Sequence, residues 1–228
     1  MLEGVDERHM KINWENKAFR GINKLLDLYL AGFLWVVFCI PVVTVGASTT
    51  ALYYTVRKSI KGDRGYVWGN FWNAFKDHFL DSVKITVIFE ILLGFVVLDR
   101  KIMESFLQQG SKLGLFYYFF LVLQFLMIAW WLWTAFYRAR FTQTWKLSIK
   151  NAAILTFAHL PWTIAMVAIV ILVSIVVWAS IFYMFMMPLL PMVPSLVCFG
   201  CDIFLEPIFR RYMSEEDLKA QEELDKER

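Results

Sequence analysis

The sequence predicts an all-α, polytopic transmembrane helix bundle, and three observations carry that prediction. Of the 228 residues, 59% are hydrophobic and 19% are charged, against about 45–50% and about 25% in an ordinary soluble domain. The mean hydropathy is +0.53, more apolar surface than one soluble core could hide. Charges gather at the ends of long apolar runs such as LYLAGFLWVVFCIPVV and LGLFYYFFLVLQFLMIAWWLW, each near the length that a bilayer crossing needs.

About six membrane segments are expected, at 21–44, 46–62, 80–98, 113–137, 160–185 and 195–209. Residues 1–211 then form one membrane-embedded domain, and 212–228 form a solvated tail. The first segment ends at Pro41, where a missing backbone bond costs least. It is longer than a signal-peptide core, which favours a retained anchor. Between the second and third segments, Tyr66–Phe79 puts Val67, Phe71, Phe75 and Phe79 at four-residue spacing. That pattern, rich in aromatics, reads as an interfacial amphipathic helix. Phe141–Phe157 reads as a second one. WWLWTAFYRAR, before it, reads as an aromatic belt followed by basic charge. Trp72 with Lys76 and Trp145 with Lys150 each precede a crossing, a weak internal echo that composition alone could produce. MPLLPMVPS carries three prolines and forbids a continuous helix.

Basic residues set the topology. Arg8–Lys24, Arg57–Lys76, Arg138–Lys150 and Arg210–Arg228 are the basic stretches, and only Arg100, Lys101 and Lys112 fall in loops on the other side. This distribution requires the short 46–62 segment to return the chain to the cytoplasm, or to re-enter and leave Arg57–Arg64 there. Both termini are then cytoplasmic.

The stretch PVVTVGASTTALYY, Pro41–Tyr54, is the most distinctive in the chain. Helices in lipid associate through close packing and hydrogen bonds, which favours small and hydroxyl residues at their contacts. Gly46 and Thr50 are four apart, as are Ala47 and Ala51, so Pro41, Gly46, Ala47, Ala51, Tyr53 and Tyr54 read as a helix-packing motif. Alternatively, Thr44, Ser48, Thr49 and Thr50 line a cavity, with Thr44 or Ser48 capping the helix start. Gly46-x-Ser48 with His159 as a base would suggest an intramembrane serine protease, but the topology puts them near opposite faces, out of hydrogen-bond reach. No enzyme motif appears, and a non-enzymatic protein without a cofactor is expected. Cys198 and Cys201 form CFGC inside an apolar run, where a thiolate is disfavoured. With Cys39 they read as packing residues, and with no second CxxC the sequence offers no metal site.

The run NKLLDLYLAGFLWVVFCIPVVTVGASTTALYY, followed by a charged Gly-Tyr turn and FWNAFKDHF, resembles the YesL-like family of bacterial integral membrane proteins. The likeness is sharpest over Asn23–Phe79 and looser to about Arg211. It implies a multi-pass protein of the bacterial plasma membrane. Genes of that family often neighbour carbohydrate-uptake genes, which implies work beside sugar ABC importers, and the family has no established activity. NAAILTFAHLPW, Asn151–Trp162, also resembles the loop by which ABC permeases engage their ATPase. The initial Glu and central Gly of that loop are missing, so direct coupling to an ATPase is not expected.

Charges within spans mark the remaining candidates. Glu90 lies near the centre of 80–98. It is either protonated or bonded by a neighbouring helix, or it lines a cavity. Asp202, Glu206 and Arg210 share one stripe, with Glu206 ahead of Arg210 in the favourable order. They either neutralise one another or dock on a partner, as Trp72, Phe75, Lys76, Trp145 and Lys150 could. Two functions follow. The first is an accessory or regulatory subunit beside sugar ABC permeases. The second is a small transporter or channel built on Glu90 and the hydroxyls, sufficient in size as a homo-oligomer. The expected surroundings are a lipid bilayer, and no nucleic-acid partner is expected.

Overall fold

The computed structural model describes residues 17–63, 65–141, 143–182 and 190–213. The described residues form seven α-helices: α1 (Lys17–Phe38), α2 (Val45–Thr55), α3 (Val67–Gln108), α4 (Phe116–Arg140), α5 (Trp145–Ala158), α6 (Leu160–Phe182) and α7 (Met192–Arg210). Most of the expected tail, the basic residues before Lys17 and Pro188 of MPLLPMVPS lie outside them; Pro191 immediately precedes α7 and Pro194 sits in its first turn. The described residues contain no strand.

Helix α2 is the hub. Every residue from Gly46 to Tyr53 is buried, and α1, α3, α4 and α7 all pack on it. Its small side chains allow that crowding. A Cβ on Gly46 would lie 2.0 Å from Thr86 Oγ1 of α3. Helix α1 stops because Pro41 follows, which holds the residue before it away from helical geometry. Its exposed carbonyl end is then bonded by the next segment. Thr44 Oγ1 donates to the carbonyls of Phe38 (2.6 Å) and Pro41 (2.7 Å), and Ser48 Oγ donates to Phe38 (3.0 Å). Thr44 and Ser48 thus close the end of α1, whereas the sequence suggested they would cap the start of α2, where no side chain caps. Ionless carbonyl groups at a helix end need such donors.

After Thr55 the helix widens into a π segment, Val56–Lys61, closed by the bond from Gly62 N to Arg57 O at 2.9 Å. The chain then reverses into α3. Asn70 donates to Ser59 Oγ (2.8 Å), while Gly46 meets Ser82 and Thr86, so α2 lies antiparallel to the first half of α3.

Helix α3 corrects one expectation. Tyr66–Phe79 does not form a separate helix in the membrane interface; it runs unbroken into the next segment as 42 residues, about 63 Å at 1.5 Å per residue. No proline interrupts it near Phe79. Its aromatic stripe is real but faces protein. Val67, Phe71 and Phe75 are buried, and the Phe38 ring of α1 sits 5.6 Å from Phe71 and 4.9 Å from Phe75. The second amphipathic stretch is a distinct helix, α5, and it meets α6 at a 100° elbow. Pro161 lacks the N–H that would continue α5, and its ring would clash with the Phe157 carbonyl. Trp72 and Trp145 therefore head different arrangements, a continuous helix and an elbow. The tryptophans of WWLWTAF turn inward as well. Trp133 is fully buried and donates to Thr163 Oγ1 (2.9 Å), and Trp130 donates to the Ile149 carbonyl (2.9 Å).

Among the described residues, three helical stretches are long and apolar enough to cross a bilayer: Gly21–Phe38, Lys112–Arg140 and Met192–Arg210. A fourth qualifies if Trp145–Ala158 and Leu160–Leu172 count together. Of the six expected segments, 46–62 is a short buried arm, and 80–98 is interrupted by Asp81, Lys84 and Glu90.

Candidate functional site

Two polar features stand out in this apolar molecule. The first joins α2 to α7. The widened π turn aims Arg57 and Lys61 at the α7 stripe. Tyr53 donates to Asp202 Oδ1 (2.6 Å), and Lys61 Nζ bonds Asp202 Oδ2 (2.7 Å). Arg57 lies 3.7 Å from Asp202 Oδ1 and bonds Glu206 through both terminal nitrogens, Nη2 at 2.6 Å from Oε1. Arg140 of α4 (3.2 Å) and Arg210 (3.0 Å) reach the same Oε1. Asp202 is only 3% exposed. Four cations thus surround two carboxylates, tying the π turn after α2 to α4 and α7. Such a cluster fixes register more than it adds net stability, because desolvation opposes the Coulombic gain.

The second feature is a pair of adjoining cavities between α2, α3 and α4. The larger, about 260 Å³, is walled by apolar side chains, among them Val42, Phe89, Leu93 and Ile128, with Glu90 as its one ionisable group. The smaller, about 10 Å³, has a mixed wall: Ser82, Thr86, Thr134 and Arg138 beside Gly46, Ile85, Trp131 and Ala135, among others. Thr86 and Trp131 line both. Arg138 is 5% exposed and bonds Asp81 Oδ2 through Nη2 (3.3 Å), while its Nε and Nη1 have no partner. The hydroxyls of Ser82 and Thr86 are likewise buried and unbonded.

The other residues singled out in the sequence sit as follows. Thr44 and Ser48 are bonded to the end of α1. Thr49 donates to the Val45 carbonyl (2.7 Å) and accepts from Trp35 Nε1 (3.2 Å). Thr50 donates to the carbonyls of Gly46 (2.9 Å) and Ala135 (3.2 Å). Pro41 is exposed at the turn before α2, Ala47 and Ala51 are buried in the hub, and Tyr54 accepts from Lys58 Nζ (3.0 Å). Trp72 and Lys76 are exposed and stacked as a cation–π pair at 5.5 Å, beside buried Phe75. Trp145 is half-buried and Lys150 exposed on α5. Cys198 and Cys201 are buried free thiols of α7, and Cys39 is a half-buried one. His159 forms the α5–α6 elbow and touches the Tyr212 ring edge-on.

Sequence reasoning missed Arg57, Lys61 and Arg140 as partners of the α7 stripe, and Ser82, Thr86 and Arg138 as cavity groups. Arg57 and Lys61 are four residues apart, like Asp202 and Glu206. Opposite charges at matched spacing on two apolar segments are the signal that could have found them.

The family model described as "Protein of unknown function, DUF624" matches residues 28–100. The match takes in the second half of α1, all of α2 and α3 as far as Arg100, and so includes Gly46, Ser82, Thr86 and Glu90. No curated protein and no solved structure matches the chain. Over residues 28–100, about a third of its length, the chain is therefore similar to an uncharacterised family whose printed description gives no activity, and its apolar helices make it a candidate membrane protein.

Proposed function

We propose that this chain is a non-enzymatic accessory component of a membrane assembly, multi-pass in the bacterial plasma membrane, and that its partners are permease subunits of carbohydrate ABC uptake. One observation carries the accessory reading over a conducting one: the hydroxyls of the GASTTA stretch are all consumed inside the fold. Thr44, Ser48, Thr49 and Thr50 donate to backbone carbonyls of α1, α2 and α4. A solute path needs unspent polar groups along its wall, and neither Thr44 nor Ser48, Thr49 and Thr50 of α2 supplies one. The partner class itself rests on the resemblance of Asn23–Phe79 to YesL-like proteins. Exposed Trp72, Lys76 and Lys150, with half-buried Trp145, are available for such contact without disturbing the core.

Extraction of the full chain with its native membrane in mild detergent, followed by affinity capture, tests this. Sugar-importer permease subunits should co-purify, and exchange of Trp72 and Lys76 for alanine should reduce their recovery. Repeated recovery of the chain alone would overturn the reading.

A second reading, a small transporter or channel, is favoured by the position of Glu90 in the wall of the 260 Å³ cavity. It expects flux in reconstituted vesicles that falls on Glu90→Gln. Vesicles that pass neither sugars nor common ions would remove it.

A further inference from the structure

We infer that the small chamber between α2, α3 and α4, beside Arg138, Ser82 and Thr86, binds a single-atom anion, of which chloride is the physiological example. The chamber wall includes Arg138, Ser82 and Thr86, and four donor groups of these residues, Arg138 Nε and Nη1 and the two hydroxyls, are buried and without a partner.

The two hydroxyls are the telling part. Buried helical hydroxyls usually bond the carbonyl four residues back, and Thr49, Thr50, Thr55, Thr134 and Thr156 all do so here. Ser82 and Thr86, one turn apart on α3, do not. A buried polar group left unpaired is costly, so a cluster of four on facing helices calls for a shared acceptor.

Charge and size then choose the acceptor. The Arg138 side chain is 6% exposed, whereas that of Asp81, its only ion-pair partner among the described residues, is 38% exposed and open to solvent. The cation is buried more deeply than its counter-ion, leaving the chamber positive. A water accepts two hydrogen bonds, fewer than the donors present, while a halide accepts from all of them. The volume of about 10 Å³ is near the least that holds one water-sized particle. It admits chloride or bromide with small adjustment and excludes sulfate, phosphate and carboxylates. Gly46 is what leaves this room, since a Cβ there would press on the Thr86 hydroxyl.

The site is independent of any partner or transport activity, because its effect is to hold α2, α3 and α4 together. The test is thermal unfolding of the purified full chain in detergent at fixed ionic strength. Chloride and bromide should raise the melting temperature saturably, while gluconate and sulfate should not. Ser82→Ala should weaken the halide midpoint by roughly tenfold, the loss expected for one hydrogen bond to an ion. Thr86→Ala should act in the same direction, which keeps the test meaningful where loss of Arg138 prevents folding. A crystal grown in bromide should show an anomalous peak among Arg138, Ser82 and Thr86. Equal melting in all four salts, a midpoint unmoved by Ser82→Ala, or a water without anomalous signal in the chamber would each overturn the inference.

Discussion

Replacing Gly46 by alanine sets two opposing effects against each other. At an open helical position alanine is favoured over glycine by about 1 kcal/mol. At Gly46 the new Cβ would lie 2.0 Å from Thr86 Oγ1, while its next neighbours, Ser82 O and Thr86 Cβ, stand at 3.4 Å. Only the hydroxyl is in the way, and it must move by about 1 Å or rotate. Overpacking of this kind costs about 1–3 kcal/mol. Gly46→Ala should therefore destabilise the protein by about 1–2 kcal/mol, despite the gain in helix propensity. Thr86→Ala should relieve the clash, so the two changes together should be non-additive by about 1 kcal/mol or more. Denaturant or thermal unfolding in detergent measures the cycle. Gly94→Ala and Gly200→Ala are the controls: nothing lies within 4 Å of either added Cβ, and both should be neutral or stabilising. A Gly46→Ala protein at least as stable as the parent, or a cycle additive to within about 0.5 kcal/mol, would refute the reasoning.

Other outcomes follow from the same packing. Gly32→Ala should be worse than Gly46→Ala, because its Cβ would meet the Pro191 carbonyl oxygen at 1.6 Å; backbone cannot rotate aside, and the same unfolding assay should rank the two. Asp202→Ala removes the shared acceptor of Tyr53 and Lys61 and should cost about 3–5 kcal/mol, the range for breaking a buried pair. Asp202→Asn keeps an acceptor for Tyr53 and should cost less, so equal losses would count against the network. Burial, and then Arg138, hold the His78 imidazole below its ordinary 6.5. The unfolded chain thus binds the extra proton first, and stability present above 6.5 is lost as pH falls through the lower folded-state value. Melting temperature should decline on that acid side, and His78→Gln should flatten the decline; an unchanged slope would exclude His78 as its source.

Much of this fold can be read from the chain. Composition and apolar runs identify α1, α4 and α7 as long membrane-compatible helices, and the small residues of GASTTALYY identify α2 as a packing helix. Helical periodicity reports which residues share a face, and the Val67–Phe71–Phe75 stripe does share one. It does not report what that face touches. Aromatics at four-residue spacing suit a headgroup layer and a protein interior equally, so the stripe was assigned to lipid, whereas Phe38 covers it. The end of a helix is also poorly marked where no proline or glycine stands. Nothing near Phe79 stops α3, while Pro161 does stop α5.

The polar features were harder to read for a related reason. Arg57 and Glu206 are 149 residues apart, so their pairing depends on how α2 and α7 are brought together, which no local pattern specifies. Basic residues at segment ends were counted toward topology, and that use hid a second one. Arg57 and Arg140 hold the α7 carboxylates, and Arg138 lines the chamber. On α3, His78, Ser82, Thr86 and Glu90 stand four apart, a polar stripe within an apolar helix. Glu90 drew attention by its charge, but a lone carboxyl in an apolar wall explains little. Ser82 and Thr86 face Gly46 and Arg138 across the helix contact. The stripe therefore acquires its meaning from three helices together, with α2 supplying the space, α4 the charge and α3 the hydroxyls.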